Sequence, residues 1–198
     1  MLKARAAVLV SGGGTNLQSL IDACGRGELP HAELALVVSN NASAFALKRA
    51  EAAGIEACFI ESGIDFESRL EALLASRGID FIVLAGFLRI LSAKFVGKYP
   101  GRIINIHPSL IPAFCGKGFY GLRVHEAALE RGVKLTGATV HLVNAEPDGG
   151  PILLQKAVEV LEGDTPELLQ KRVMREAEWV LLPKACEMLA AGIAESIQ

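Results

Sequence analysis

The chain has 198 residues, roughly one domain at the usual figure of about 150 residues per domain. Apolar residues make up 51% and charged residues 21%, a balance that closes a continuous core and excludes wholesale disorder. Twenty Lys and Arg against twenty-two Asp and Glu leave a formal charge of -2, so no global basic field draws in nucleic acid, and the longest apolar runs, such as 81–86, fall far short of the ~20 residues that span a bilayer.

Lys3 and Arg5 precede an apolar stretch, but Gly12 interrupts it too early for a signal peptide. Cys24, Cys58, Cys115 and Cys186 form no Cys-x-x-Cys pair and have no matching His spacing. A cytoplasmic chain with free thiols and no metal site is the expectation.

Residues 6–11 read as a buried strand that breaks at Gly12, Gly13 and Gly14. A helix follows, capped by Thr15 or Asn16, with Leu17, Leu20, Ile21 and Cys24 as its apolar stripe and Gly25 or Gly27 as its stop. The rhythm repeats as strand 34–39, helix 44–53 ended by Gly54, and strand 57–60. Asp65 caps a helix over 66–76, striped by Phe66, Leu70, Leu73 and Leu74, and 81–85 is a fourth strand. Strands alternating with helices in this way give a parallel, Rossmann-like sheet covered on both faces. The second half changes: strands at 103–106, 137–143 and 152–160, the first two separated by a loop rich in Pro and Gly. Thr165 and Pro166 open a long helix to about Ala191, bent at Pro183. One α/β domain without linker or repeat accounts for the whole chain.

Ser11-Gly-Gly-Gly-Thr-Asn16 lies between the first strand and the first helix. It reads either as a tight turn using glycine's dihedral freedom or as an anion loop whose helix N–H groups meet a phosphate. Gly-Lys-Ser/Thr is missing, which excludes a Walker A loop. Leu17 replaces the third glycine of the dinucleotide fingerprint, and Ser39, Asn40 and Asn41 stand where its acid belongs. A single phosphate monoester fits better.

Asn105-Ile-His-Pro-Ser-Leu-Ile-Pro112 is the most informative stretch. Strand alternation puts Asn105 and His107 on one face with Ile106 turned into the core, and Pro108 ends the pairing. An amide and an imidazole thus stand at the carboxyl end of a strand, where open α/β sheets bind ligands; the amide suits a developing oxyanion and the imidazole a proton transfer. His31, His125 and His141 are assigned structural or solvated roles, His125 at an exposed-looking helix start. Asp148-Gly149-Gly150-Pro151 is a turn bearing a carboxylate. No nucleophile elbow occurs and Cys115 has no evident base, so a transfer reaction here is direct rather than through a covalent enzyme intermediate.

Ser11–Asn16, Leu84-Ala-Gly-Phe-Leu-Arg-Ile-Leu91, Asn105–Pro112 and Asp148-Gly-Gly-Pro-Ile-Leu-Leu-Gln155 together resemble the phosphoribosylglycinamide formyltransferases of purine biosynthesis, a folate-dependent formyltransferase family, and the likeness covers almost the whole chain. The resemblance implies the formyltransferase fold, a mostly parallel Rossmann-like sheet with a C-terminal antiparallel extension. It also implies transfer of a formyl group from 10-formyltetrahydrofolate, as co-substrate, to the amine of glycinamide ribonucleotide. On that basis Gly14, Thr15 and Asn16 hold the substrate phosphate, and Glu178 meets the glycinamide end. Leu84, Leu88, Arg89, Ile90, Leu91, Phe95 and Val96 line the folate pocket with the loop from Asn144 to Asp148. Asn105, His107 and Asp148 match the family's catalytic trio, the carboxylate favouring a charged imidazole beside the reacting oxygen.

The chain departs from the family in three places. The segment 114–121 is a longer loop than usual. Trp179 stands where a His is common, with one residue more than usual between Val173 and Glu178. No arginine near 62–66 matches the one that meets the folate tail. The expected partners are the two small molecules, not nucleic acid or membrane, for a monomer or homodimer. A formyltetrahydrofolate hydrolase, with an added N-terminal domain, and a noncatalytic phosphometabolite-binding module are the alternatives; a tRNA formyltransferase calls for a further domain and clustered basic residues.

Overall fold

In the computed structural model, which describes residues 3–197, one seven-stranded sheet runs in the order β3-β2-β1-β4-β5-β6-β7. The strands are β1 (Ala4–Val10), β2 (Ala32–Ser39), β3 (Glu56–Phe59), β4 (Phe81–Leu84), β5 (Ile103–His107), β6 (Leu135–Leu142) and β7 (Ile152–Glu159). The first five are parallel, β6 is antiparallel to β5, and β7 to β6. The expected parallel sheet with an antiparallel C-terminal extension is therefore what the chain builds.

Central strands carry apolar residues on both faces because both are covered. In β1, Ala6, Val8 and Val10 belong to the core that α1 (Thr15–Gly25), α2 (Phe45–Ala52), α5 (Leu122–Arg131), α6 (Pro166–Val173) and α7 (Trp179–Ile197) close on one face of the sheet. Ala7 and Leu9 turn the other way, under α3 (Phe66–Ser76) and the short α4 (Ala93–Val96). Among the described residues no helix is long and apolar enough to cross a membrane.

Four expectations are corrected. Gly14, not Thr15 or Asn16, holds the N-cap position of α1, and no side chain caps that helix. Cys24 is exposed and Ala23 takes its place in the buried stripe, one residue back around the turn. The long C-terminal helix is interrupted not at Pro183, which lies inside α7, but by a π turn at Met174–Glu178. A proline ring crowds the carbonyl four residues before it, here that of Trp179, so the irregularity falls immediately upstream. Finally, His125, placed at an exposed-looking helix start, is completely buried in the first turn of α5. Both ring nitrogens of His125 lack partners, and burial, then the neighbouring His107, lowers its pKa to about 4.

The chain runs from β1 outward to β2 and β3, then crosses back to β4 and β5. Where strand order reverses, the loops after β1 and β4 diverge and leave a crevice at the carboxyl edge. Two bonds stitch its floor: Ser11 N–H donates to the Gly86 carbonyl (3.1 Å), and Leu88 N–H donates to Ser11 Oγ (2.9 Å).

Candidate active site

The three glycines after β1 do different work. Gly14 has φ +73°, and a Cβ there would lie 2.6 Å from Ala46 Cβ, so the fold itself requires glycine. At Gly12 and Gly13 a Cβ would meet nothing within 4 Å, which leaves the backbone open to approach. With no side-chain cap and no acid in its first turn, α1 presents an uncompensated positive end beside this loop. Arg49 extends over it, donating from Nε to the Gly13 carbonyl (2.8 Å) and from Nη1 to Gln18 Oε1 (2.9 Å). Arg49 and Arg175 join Thr15 and Trp179 in lining a cleft of about 380 Å³.

Asn16 turns inward. Its Nδ2 donates to Glu178 Oε2 (2.7 Å), at the last residue of the π turn. Glu178 is 6% exposed, and burial pushes its carboxyl up to about 7 against the opposing Asn16 hydrogen bond. Asn16 Oδ1 is buried without a partner.

At the end of β5, Ile104 and Ile106 enter the larger core, while Asn105 and His107 take the opposite face, as alternation requires. The turn between β6 and β7 brings Asp148 to them: its Oδ1 lies 3.4 Å from Asn105 Nδ2 and its Oδ2 3.6 Å from His107 Nδ1. The three residues singled out in the sequence therefore converge. His141, read as structural or solvated, stands among them because β6 pairs it directly with Asn105. Its Nδ1 donates to the Leu142 carbonyl (2.8 Å), leaving Nε2 to face Asn105 Nδ2 at 3.1 Å and Asp148 Oδ1 at 3.5 Å. Burial would raise the Asp148 pKa, but the His141 and His107 rings and the Gly116 N–H together hold it below the usual carboxylate range.

This cluster sits between two connected hollows. One, of about 110 Å³, is lined by Leu84, Leu91, Val143 and Asn144. The other, of about 610 Å³, runs past Leu88, His107 and Lys117. Phe87, Arg89, Ile90, Asn105, Pro147 and Asp148 line both. Phe95 and Val96, expected in the folate pocket, line neither; they are packed in the smaller core with Leu91, since α4 faces the sheet. Arg89 stacks over the Phe66 ring at 4.7 Å and donates to the Gly63 carbonyl (3.1 Å).

The family model described as "Formyl transferase" matches residues 4–185. The chain belongs to the formyl transferase family. It is 41% identical over 191 residues to the phosphoribosylglycinamide formyltransferase of Haemophilus influenzae, covering 94% of this chain and 87% of that one. It is 44% identical over 198 residues to the human trifunctional purine biosynthetic protein adenosine-3, matching 98% of this chain but spanning only 19% of that protein. The crystal structure of glycinamide ribonucleotide transformylase 1 from Symbiobacterium toebii superposes with a TM-score of 0.88 at 42% identity, covering 96% of this chain and 89% of that one.

For a formyl transferase, the residues that sequence reasoning missed are instructive. Arg49 and Arg175 carry no local motif, since only the docking of α2 brings Arg49 to the glycine loop and only the π turn brings Arg175 to the cleft beside Thr15. Trp179 lines the same cleft with its Nε1 buried and unpartnered. The one-residue excess expected between Val173 and Glu178 falls on the π turn, the form a helix takes when it absorbs one residue without losing register on either side.

Proposed function

We propose that the chain transfers the formyl group of 10-formyltetrahydrofolate to the amine of glycinamide ribonucleotide. The observation that carries this reading is the meeting of Asn105, His107 and Asp148 in a cleft continuous with a mostly apolar pocket, at the same sheet edge as an open, positively polarised glycine loop. The loop suits a single phosphate, with the Arg49 guanidinium adding charge beside it. Leu84, Leu91 and Val143 offer apolar walls to a flat ring, and Asn144 polar edges.

In this reaction the amine attacks the formyl carbon and charge grows on the formyl oxygen. Asn105 Nδ2 and a protonated His107 Nδ1 are the donors suited to that oxygen. The Asn105 hydrogen bond to Asp148 is the one the oxygen must compete for, and at 3.4 Å it is weak enough to yield. Asp148 remains ionised beside two imidazoles and accepts the proton that the new C–N bond releases from the amine. When the tetrahedral adduct collapses, a proton passes to the departing folate nitrogen, so none is gained or lost overall.

Following folate absorbance after mixing the protein with 10-formyltetrahydrofolate, with and without glycinamide ribonucleotide, tests the reading. Consumption only with the acceptor is expected. Consumption without it makes the protein a hydrolase, and no change in either case leaves a binding module.

A further inference from the structure

Among the described residues, two that are not glycine adopt a left-handed backbone: Phe114 at φ 50° and Asp148 at φ 56°. Such a conformation is unfavourable for a residue with a Cβ and persists only where the surroundings impose it. Both residues bear on the same imidazole. Asp148 Oδ2 faces His107 Nδ1, and on the opposite edge of the ring the Phe114 carbonyl oxygen lies 2.9 Å from Nε2.

The neighbouring peptides are fixed on both sides of Phe114. Ser109 Oγ donates to the Ala113 carbonyl (2.6 Å), and Gly116 N–H donates to Asp148 Oδ2 (2.8 Å). The Phe114 ring packs against Phe119 with centroids 6.3 Å apart and against the larger core. The loop between β5 and α5 therefore delivers a main-chain oxygen to the back of the ring.

A carbonyl oxygen has no proton to give, so Nε2 must be the donor whether the ring is neutral or charged. The proton that comes and goes then belongs to Nδ1, the nitrogen facing the cleft. The titratable groups around the ring agree with this division. Asp148 faces Nδ1, His141 lies behind Asp148, and His125 approaches from α5 with no hydrogen-bond partner of its own.

We propose that Phe114, through its main-chain carbonyl, is a positioning residue that locks His107 as the Nε2–H tautomer and so assigns the reactive proton to Nδ1. What that proton does rests on the formyl-transfer reading above; where it sits does not.

The test is nitrogen NMR of the full chain labelled with ¹⁵N-histidine, together with steady-state kinetics of Phe114→Gly and Phe114→Val. Both variants lose the ring, but glycine keeps the left-handed backbone while a β-branched residue resists it. In the wild type, neutral His107 is expected to show a pyrrole-like Nε2 and a pyridine-like Nδ1, with only Nδ1 changing on acidification. Phe114→Val should lose this signature and fall at least ~10-fold below Phe114→Gly in kcat, the scale of one hydrogen bond to a charged group, with KM for the acceptor changing less.

A wild-type ring protonated on Nδ1 when neutral would overturn the proposal whatever the variants do, as would equal signatures and turnover in the two variants. A wild type with the expected signature but no acceptor-dependent formyl transfer would instead sink the proposed function alone.

Discussion

Replacing Glu178 by Gln should abolish a loss of stability that the wild type suffers as pH rises. The carboxyl sits at 6% exposure with one hydrogen bond, from Asn16, and burial lifts it from an ordinary 4.5 to about 7. Between those two values the folded chain keeps a proton that the unfolded chain releases. Stability therefore falls as pH rises through this window and levels off above it. At about 1.4 kcal/mol for each unit of pKa difference, the loss across the whole window is about 3 kcal/mol. Glutamine carries no charge at any pH, still accepts from Asn16 Nδ2, and offers an amide donor to Asn16 Oδ1, which is buried without a partner. Urea unfolding followed through the single tryptophan, Trp179, reads the difference. The Glu178→Gln protein should match the wild type near about pH 4.5 and exceed it by about 3 kcal/mol near about pH 8. Parallel stability curves for the two proteins across that range would show that the carboxyl is not held neutral by burial, and the reasoning would fail.

Two further outcomes follow from the site and from the loop beside it. His107→Ala and Asp148→Asn should each lower kcat by at least ~100-fold in the folate absorbance assay, and near-normal turnover in both would remove them from the chemistry. Gly14→Ala should destabilise the chain by about 2–4 kcal/mol, adding the left-handed penalty to the clash with Ala46. Gly13→Ala, with open space around it, should change stability by less than about 0.5 kcal/mol; thermal and urea melts of the two variants decide between packing and access as the reason for each glycine.

Much of the fold and part of the site could be read from residue order because both rest on short-range rules. Apolar period and glycine punctuation placed the strands of the first half within a residue or two. Period two put Asn105 and His107 on one face, whereas Asp148 on its glycine turn read as an ordinary turn carboxylate until the family resemblance named it. His141 was hidden because its role depends on which residue of β5 it faces, a matter of register between strands whose facing residues, Asn105 and His141, lie 36 positions apart in the chain. His125 looked solvated because the apolar stripe of α5 is short, although the helix lies against the core. Arg49 and Arg175 are ordinary helix-surface residues until two helices meet. Phe114 contributes a main-chain atom, which side-chain chemistry does not announce. The longer spacing before Glu178 was expected from the resemblance, but a count at about 3.6 residues per turn turns it into a slip of the stripe rather than a π turn.

The hydrogen bond between Asn16 and Glu178 joins positions 162 residues apart. During synthesis the glycine loop and the first strands leave the ribosome well before the carboxyl that completes their surroundings, which arrives only after all seven strands have been made. Until α6 and α7 dock, a nascent chain has an anion-ready loop with no acid beneath it and an asparagine facing nothing, so the assembled pocket is itself a report that translation has passed the last strand.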